Sequence, residues 1–142
     1  MNRLAHSLRD LGVEKGNRVA MLQVNCPQCV EAYFAAAKLG AIYLPLNFRA
    51  KGDELIYMLD NSEANTLFVG ERYIELINSI SGTLSSVKKL ISIDSEHNGM
   101  LYYEDILLSP TEEILTDISD DDTTILVYTA GSTGFPKGVM LS

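Results

Sequence analysis

At 142 residues and 46% hydrophobic content, the chain is long enough for one domain, or a piece of a larger one, and apolar enough to fill a core. Its formal charge of −8, from 19 acidic and 11 basic residues, argues against a nonspecific nucleic-acid or anionic-membrane surface, both of which need positive charge, but not against a local phosphate site. No apolar run is long enough for a membrane span, Met1 to His6 lack the apolar core of a secretory signal, and there are only two cysteines; together these point to the cytoplasm.

The first predicted element is a helix over 2–11, with Leu4, Leu8 and Leu11 at helical spacing and Gly12 as its stop. A turn over 13–17 leads into a mostly apolar strand over 18–24. Asn25-Cys26-Pro27 then reads as a helix start, a capping residue followed by proline in the first turn. Val30, Phe34, Ala37 and Ala41 recur at helical spacing and are assigned to the core face of this helix, which runs to about Leu39 and ends at Gly40. Residues 41–46 form a second strand candidate, weakened at its far end by Pro45. A short helix over 53–61 presents Leu55, Ile56 and Leu59. A third strand over 65–69, a helix over 71–80 with Ile74, Ile77 and Ile80 inward, and a fourth strand over 88–93 follow.

The predicted organisation is thus an α/β scaffold over 1–93, an acidic connection over 94–122 and a strand–loop–strand unit over 123–142. The connection is polar and weakly periodic apart from an apolar patch, Ile106-Leu107-Leu108. The alternation of helices and strands predicts an α/β fold with mainly parallel strands and helices packed on the sheet faces. In such folds ligand loops lie at the carboxyl ends of strands.

The last unit carries the chemistry. After the β-branched run Thr124 to Tyr128 comes Thr129-Ala130-Gly131-Ser132-Thr133-Gly134-Phe135-Pro136-Lys137-Gly138. Gly131 and Gly134 allow backbone angles that a Cβ resists, so successive N–H groups can turn inward around an anion. Thr129, Ser132 and Thr133 add hydroxyl donors, Lys137 a mobile cation, and Pro136 stiffness. A Walker-type loop requires Gly before the lysine and Ser or Thr after it; Pro136 and Gly138 stand there instead. A plain Gly/Ser/Thr hairpin turn is the simpler alternative, but it requires neither Pro136 nor Lys137.

Tyr128 to Val139 resembles the signature of the adenylate-forming, AMP-binding superfamily of acyl- and aryl-CoA ligases, roughly Y-T-S-G-[ST]-T-G-x-P-K-G-V. The departure is Ala130, where that family usually has Ser. Asn2-Arg3-Leu4-Ala5, Gly12 to Ala20, Ala35 to Ala41 and Pro45-Leu46-Asn47 are similar to its early scaffold. The resemblance implies that this is an incomplete N-terminal AMP-binding domain of an ATP-dependent ligase. Such an enzyme activates a small-molecule carboxylic acid as an acyl-adenylate and passes the acyl group to coenzyme A. It also implies that Thr129, Ala130, Gly131, Ser132, Thr133, Gly134, Lys137 and Gly138 bind ATP phosphates, with Lys137 catalytic. Magnesium would accompany ATP, and coenzyme A would bind mainly outside these residues. The family's magnesium-linked glutamate, ribose-binding aspartate and C-terminal-domain lysine would lie downstream, so the isolated chain is expected to be inactive.

Two other function classes stay open at this point: a thiol redox protein and a non-catalytic nucleotide-binding module. Cys26-Pro27-Gln28-Cys29 is a C-x-x-C at a helix start after a strand, where a helix N-terminus would lower a thiol pKa. Packing as small hydrophobes is the plainer reading of both cysteines. His6 and His97 do not complete a metal pattern with them. Asp120-Asp121-Asp122 reads as a solvated acidic connection, His6 as a surface or boundary side chain, and His97 as part of a polar loop with no nucleophile in view.

Overall fold

The computed structural model describes residues 1–107, 110–131 and 134–142 of the protein. Helix α1 (Asn2–Asp10) precedes strand β1 (Arg18–Leu22), helix α2 (Pro27–Lys38) and strand β2 (Ile42–Pro45). Helix α3 (Gly52–Ser62), strand β3 (Ala64–Val69), helix α4 (Ile74–Ile80) and strand β4 (Lys89–Ser92) follow. Then come the two-residue strand β5 (Leu101–Tyr102), the single helical turn α5 (Tyr103–Ile106), and strands β6 (Ile125–Thr129) and β7 (Lys137–Leu141).

The strands form one seven-stranded sheet in the order β5-β4-β3-β1-β2-β6-β7. Every pairing is parallel except β6–β7, which is an antiparallel hairpin. Alternate residues of each central strand enter opposite cores, as a sheet buried on both faces requires. Val19, Met21, Tyr43, Phe68 and Ile91 meet α1 and α2 on one face. Ala20, Leu22, Leu44, Leu67, Val69 and Leu126 meet α3 and α4 on the other. Burying each large aliphatic side chain here contributes about 1.5–3 kcal/mol.

The predicted α2 core face is corrected. Val30 and Phe34 are exposed, at 52% and 43%, while Ala32, Ala35 and Ala36 are fully buried. Helix α2 turns Ala32, Ala35 and Ala36 toward α1 and the sheet, with Cys29 and Tyr33 partly buried beside them. On α3, Leu55 and Leu59 are buried as expected, but Met58 takes the place assigned to Ile56. The predicted 71–80 helix begins as a 3-10 turn, Glu71–Tyr73, before α4.

The 94–122 connection is more ordered than its composition suggests. Strand β5 extends the sheet beside β4, and Tyr103 is almost fully buried, edge-on to Phe68 at 6.1 Å, with its hydroxyl donating to Glu31. Of the apolar patch, Ile106 and Leu107 pack against the α1–α2 core; Leu108 lies outside the described residues. Nor is the acidic stretch simply solvated. Lys15 bridges Asp122 at 2.7 Å and donates to the Asp117 carbonyl, Lys38 reaches Glu113 at 3.4 Å, and Asn2 donates to the Thr111 carbonyl.

His6, expected at the surface or the boundary, is likewise corrected to buried, at 7% exposure. A carbonyl can only accept, so Nε2, 2.8 Å from the Glu112 oxygen, carries the proton, and Nδ1 accepts from the Arg9 guanidinium at 2.9 Å. His6 thereby ties the acidic segment to α1.

Candidate phosphate-binding site

Strand β6 runs parallel to β2, joined through Tyr43 and Ile125, and Tyr43 N–H donates to the Thr124 carbonyl at 2.9 Å. Its carboxyl end therefore emerges at the same sheet edge as the β2–α3 turn, where an open α/β sheet gathers its ligand loops. The glycine-rich loop is the tip of the β6–β7 hairpin, with Thr129 opposite Lys137 and Tyr128 opposite Gly138.

Two of the glycines have a specific structural reason. Gly134 has φ +122°, a conformation L side chains rarely adopt. A Cβ on Gly131 would come within 3.1 Å of the Phe135 carbonyl oxygen, so the backbone of the tip closes on itself there. Gly138 has a different role: a Cβ on it would meet Leu126 Cδ1 at 3.1 Å and the Tyr128 ring at 3.4 Å.

One face of the hairpin is anchored on α3. Phe135 stacks on Tyr57 with centroids 4.6 Å apart, Tyr57 meets Tyr128 edge-on at 6.4 Å, and the Tyr128 hydroxyl donates to Asn61 Oδ1 at 2.7 Å. Burial, then the nearby Tyr57 hydroxyl, holds the Tyr128 phenol above its ordinary pKa. Between hairpin and α3 lies a cleft of about 170 Å³, lined by Ala130, Gly131, Gly134, Pro136 and Tyr128 on one side and Asn47, Ala50, Glu54 and Met58 on the other.

The predicted site residues divide. Ala130, Gly131 and Gly134 come together in the cleft, whereas Thr129, Lys137 and Gly138 do not line it. Strand alternation puts Thr129 and Lys137 on the hairpin face opposite Tyr128 and Gly138. The Thr129 hydroxyl donates to the Lys137 carbonyl at 3.4 Å, closing the hairpin neck, and Lys137 is exposed, with no ion-pair partner among the described residues. Ser132 and Thr133 lie outside the described residues. Sequence reasoning missed Tyr57 and Asn61 as supports and Asn47 and Glu54 as cleft residues. The usable signal was the position of Asn47 just past the end of β2, level with the loop.

The other candidate chemistry falls elsewhere. Cys26 and Cys29 are free thiols with their sulfurs 3.4 Å apart. Burial, reinforced by the side-chain hydrogen bond shared with Cys26, pushes the Cys29 thiol up to about 11, the reverse of helix-terminus activation. His97 does have a hydroxyl beside it: Ser95 Oγ is 3.2 Å from Nε2. Ser95 donates instead to Glu71 at 2.6 Å, and the same His97 nitrogen contacts Glu71 at 2.8 Å, so no base faces the hydroxyl in relay. The hydrogen bonds from His97, first, and Ser95 hold the Glu71 carboxyl below its ordinary range. Among the described residues, no three His, Cys, Asp or Glu side chains assemble as a metal cluster, and no helix is long and apolar enough to cross a membrane.

The class defined by the fold is a mainly parallel α/β sheet whose last two strands form a hairpin carrying a Gly-rich, lysine-closed loop. The whole chain, residues 1–142, matches the family described as AMP-binding enzyme, and the protein belongs to that family. It is 37% identical over 98% of its length to a 3-oxocholest-4-en-26-oate–CoA ligase of Rhodococcus rhodochrous, and 33% identical over its full length to an indoleacetate–CoA ligase of Aromatoleum aromaticum. It spans 26% and 28% of those two relatives, about a quarter of their length. Among solved structures, the anthranilate CoA ligase AuaEII in complex with anthranoyl-AMP superimposes with a TM-score of 0.94, at 31% identity over 98% of this chain and 27% of that one. The N-terminal domain of FACL13 from Mycobacterium tuberculosis superimposes at 0.87, with 31% identity over 99% of this chain and 34% of that one. The fold is therefore that of part of the N-terminal domain of adenylate-forming CoA ligases, mixed α/β with a mostly parallel sheet.

Proposed function

We propose that this chain is the N-terminal part of an ATP-dependent carboxylate-activating ligase. The carboxylate of a small-molecule acid attacks the α-phosphate of ATP, pyrophosphate leaves, and the acyl group then moves from the adenylate to the thiol of coenzyme A. The observation that carries this reading is the residue pattern of 129–138, which leaves the carboxyl end of β6 and closes at Lys137 of β7, in a chain of the AMP-binding family.

The phosphate contacts in this reading lie at the hairpin tip on the face of Thr129 and Lys137. The α3 face is taken up by the Phe135–Tyr57 stack and carries Glu54, whose charge would repel a phosphate. Backbone N–H groups around Gly131 and Gly134, with the Ser132 and Thr133 hydroxyls, hold the β- and γ-phosphates, and Lys137 neutralises charge that grows on departing pyrophosphate. Ala130 contributes its N–H only. Magnesium would arrive with ATP and would offset phosphate charge; among the described residues no three His, Cys, Asp or Glu side chains are grouped to hold it.

The test is pyrophosphate release with a panel of fatty and aromatic acids. The protein extended to the length of its relatives turns over at least one acid in an ATP- and coenzyme A-dependent way, while the 142-residue chain alone does not. Turnover by the isolated chain refutes the division of labour; absence of ATP-dependent turnover in the extended protein with every acid refutes the ligase reading.

A further inference from the structure

The β1–α2 turn holds two thiols that the ligase reading does not use. Cys26 caps α2 in an extended conformation, and Cys29 lies one turn on, its N–H bonded to the Cys26 carbonyl at 3.1 Å. Their sulfurs are 3.4 Å apart, and Cys29 Sγ also donates to the Val24 carbonyl at 3.8 Å. A disulfide needs about 2.05 Å between sulfurs, so the pair is already near bonding distance, with the first turn of α2 holding it there. Both side chains are partly open to solvent, and Pro27 stiffens the backbone between them.

We propose that Cys26 and Cys29 form a reversible dithiol–disulfide site that exchanges with small-molecule disulfides of the glutathione type. The Cys26 thiolate attacks one sulfur of the small disulfide, giving a mixed disulfide and releasing one small thiolate. Cys29 then loses its proton and attacks Cys26 Sγ; the protein disulfide forms and the second small thiolate leaves. Two electrons pass from the protein to the small disulfide, which becomes two thiols after taking up the two protons. Cys26, at the start of α2, takes the attacking role because burial pushes the Cys29 thiol up to about 11 and slows its ionisation. Closure replaces the S–H contacts of Cys29 with a covalent loop across the helix start, beside Tyr43 of β2.

The experiment equilibrates the native, full-length protein with mixtures of reduced and oxidised glutathione, quenches with acid, alkylates free thiols, and reads the tryptic peptide 19–38 by mass spectrometry. An internal disulfide appears as a peptide lacking two hydrogens and both alkyl groups. Its ratio to the dithiol form depends on oxidised glutathione over the square of reduced glutathione. Doubling both at constant ratio must therefore halve it, whereas a mixed disulfide is unchanged. The Cys26→Ser and Cys29→Ser variants should each retain a glutathione adduct that the unaltered protein resolves. A stable adduct on the unaltered peptide, a disulfide joining two chains, or no oxidation at all overturns the proposal, and none of these needs a variant to fold.

Discussion

Phe135, at the tip of the glycine-rich hairpin, lies stacked on Tyr57 of α3 with ring centroids 4.6 Å apart and planes 24° from parallel. A loop shaped by glycines costs entropy to hold in one conformation. The stack opposes that cost from the face away from Lys137. An aromatic pair contributes about 0.5–1.5 kcal/mol beyond its buried area. Tyr57→Ala in the full-length protein is therefore expected to raise KM for ATP about two- to tenfold, with little change in the KM for the acid. Tyr57→Phe keeps the ring and should stay near the parent value. Steady-state kinetics with ATP as the varied substrate decides it, and an unchanged KM for ATP in Tyr57→Ala removes the stack from the site.

Helix α3 also carries a strained end. Glu63 caps it with φ 56° and ψ 35°, and is the non-glycine residue with positive φ among those described. A side chain in the left-handed region costs about 1–2 kcal/mol, less for Asn, which occupies it more readily. Glu63→Asn should raise unfolding free energy by about 0.5 kcal/mol, and Glu63→Val should lower it by about 1 kcal/mol or more. Denaturant midpoints of the three proteins give the order; a Val variant as stable as Glu63 contradicts it.

Much of this architecture was legible from pattern. The mostly apolar run read as a buried strand over 18–24, the strand over 65–69, and Ile74 and Ile77 on α4 were read correctly, because a sheet covered on both faces leaves unbroken buried runs and α4 buries an apolar face; the first strand ends at Leu22, two residues short of the reading. The α2 face was misread because Val30 and Phe34 are the more hydrophobic residues, while the residues turned toward α1 and the sheet are mostly alanines. The 94–122 segment was invisible for another reason. Its order comes from long-range single contacts, such as His6 to Glu112 and Lys15 to Asp122, which leave no periodicity. The loop was conspicuous because its residue types are unusual together; its supports on α3 were not, since Tyr57 and Asn61 read as ordinary helix residues.

The raised Cys29 thiol makes a pH prediction of definite sign. An ordinary cysteine near 9.0 would approach its maximal alkylation rate around that pH; Cys29, held at about 11 chiefly by burial, should keep gaining about tenfold per pH unit beyond it. For stability, below pH 9 neither folded nor unfolded chain ionises this thiol and it has no effect. Between 9 and about 11 the unfolded chain releases the proton first, binds fewer protons than the native one, and stability falls with rising pH. Tyr43 and Tyr103, both raised mainly by burial, act in the same direction at higher pH. Iodoacetamide rates from pH 7 to 11 on the native protein, assigned to Cys29 by fragment ions of the peptide that it shares with Cys26, check the first statement. A plateau near 9 for Cys29 contradicts it.

Lys137 opens β7 opposite Thr129, exposed and on the hairpin face that the α3 contacts leave clear. It is the sole cation of the loop, so no neighbouring residue of the loop substitutes for it. The charge it would meet develops on pyrophosphate as the acyl-adenylate forms, and that ion has departed before coenzyme A attacks. Removing one such electrostatic stabiliser typically costs about 100- to 1,000-fold in rate. Lys137→Ala in the full-length protein should slow adenylate formation by about that factor, while thiol transfer from pre-made acyl-adenylate stays close to normal. Ala130→Ser, which adds a hydroxyl where a backbone N–H is already present, should change either step far less. Lys137→Arg should recover only part of the loss, since a planar fork does not reproduce a compact ammonium. The measurement is single-turnover kinetics of the two half-reactions taken separately. Equal slowing of both by Lys137→Ala, or slowing of neither, would show that the hairpin tip does not act on the leaving phosphates.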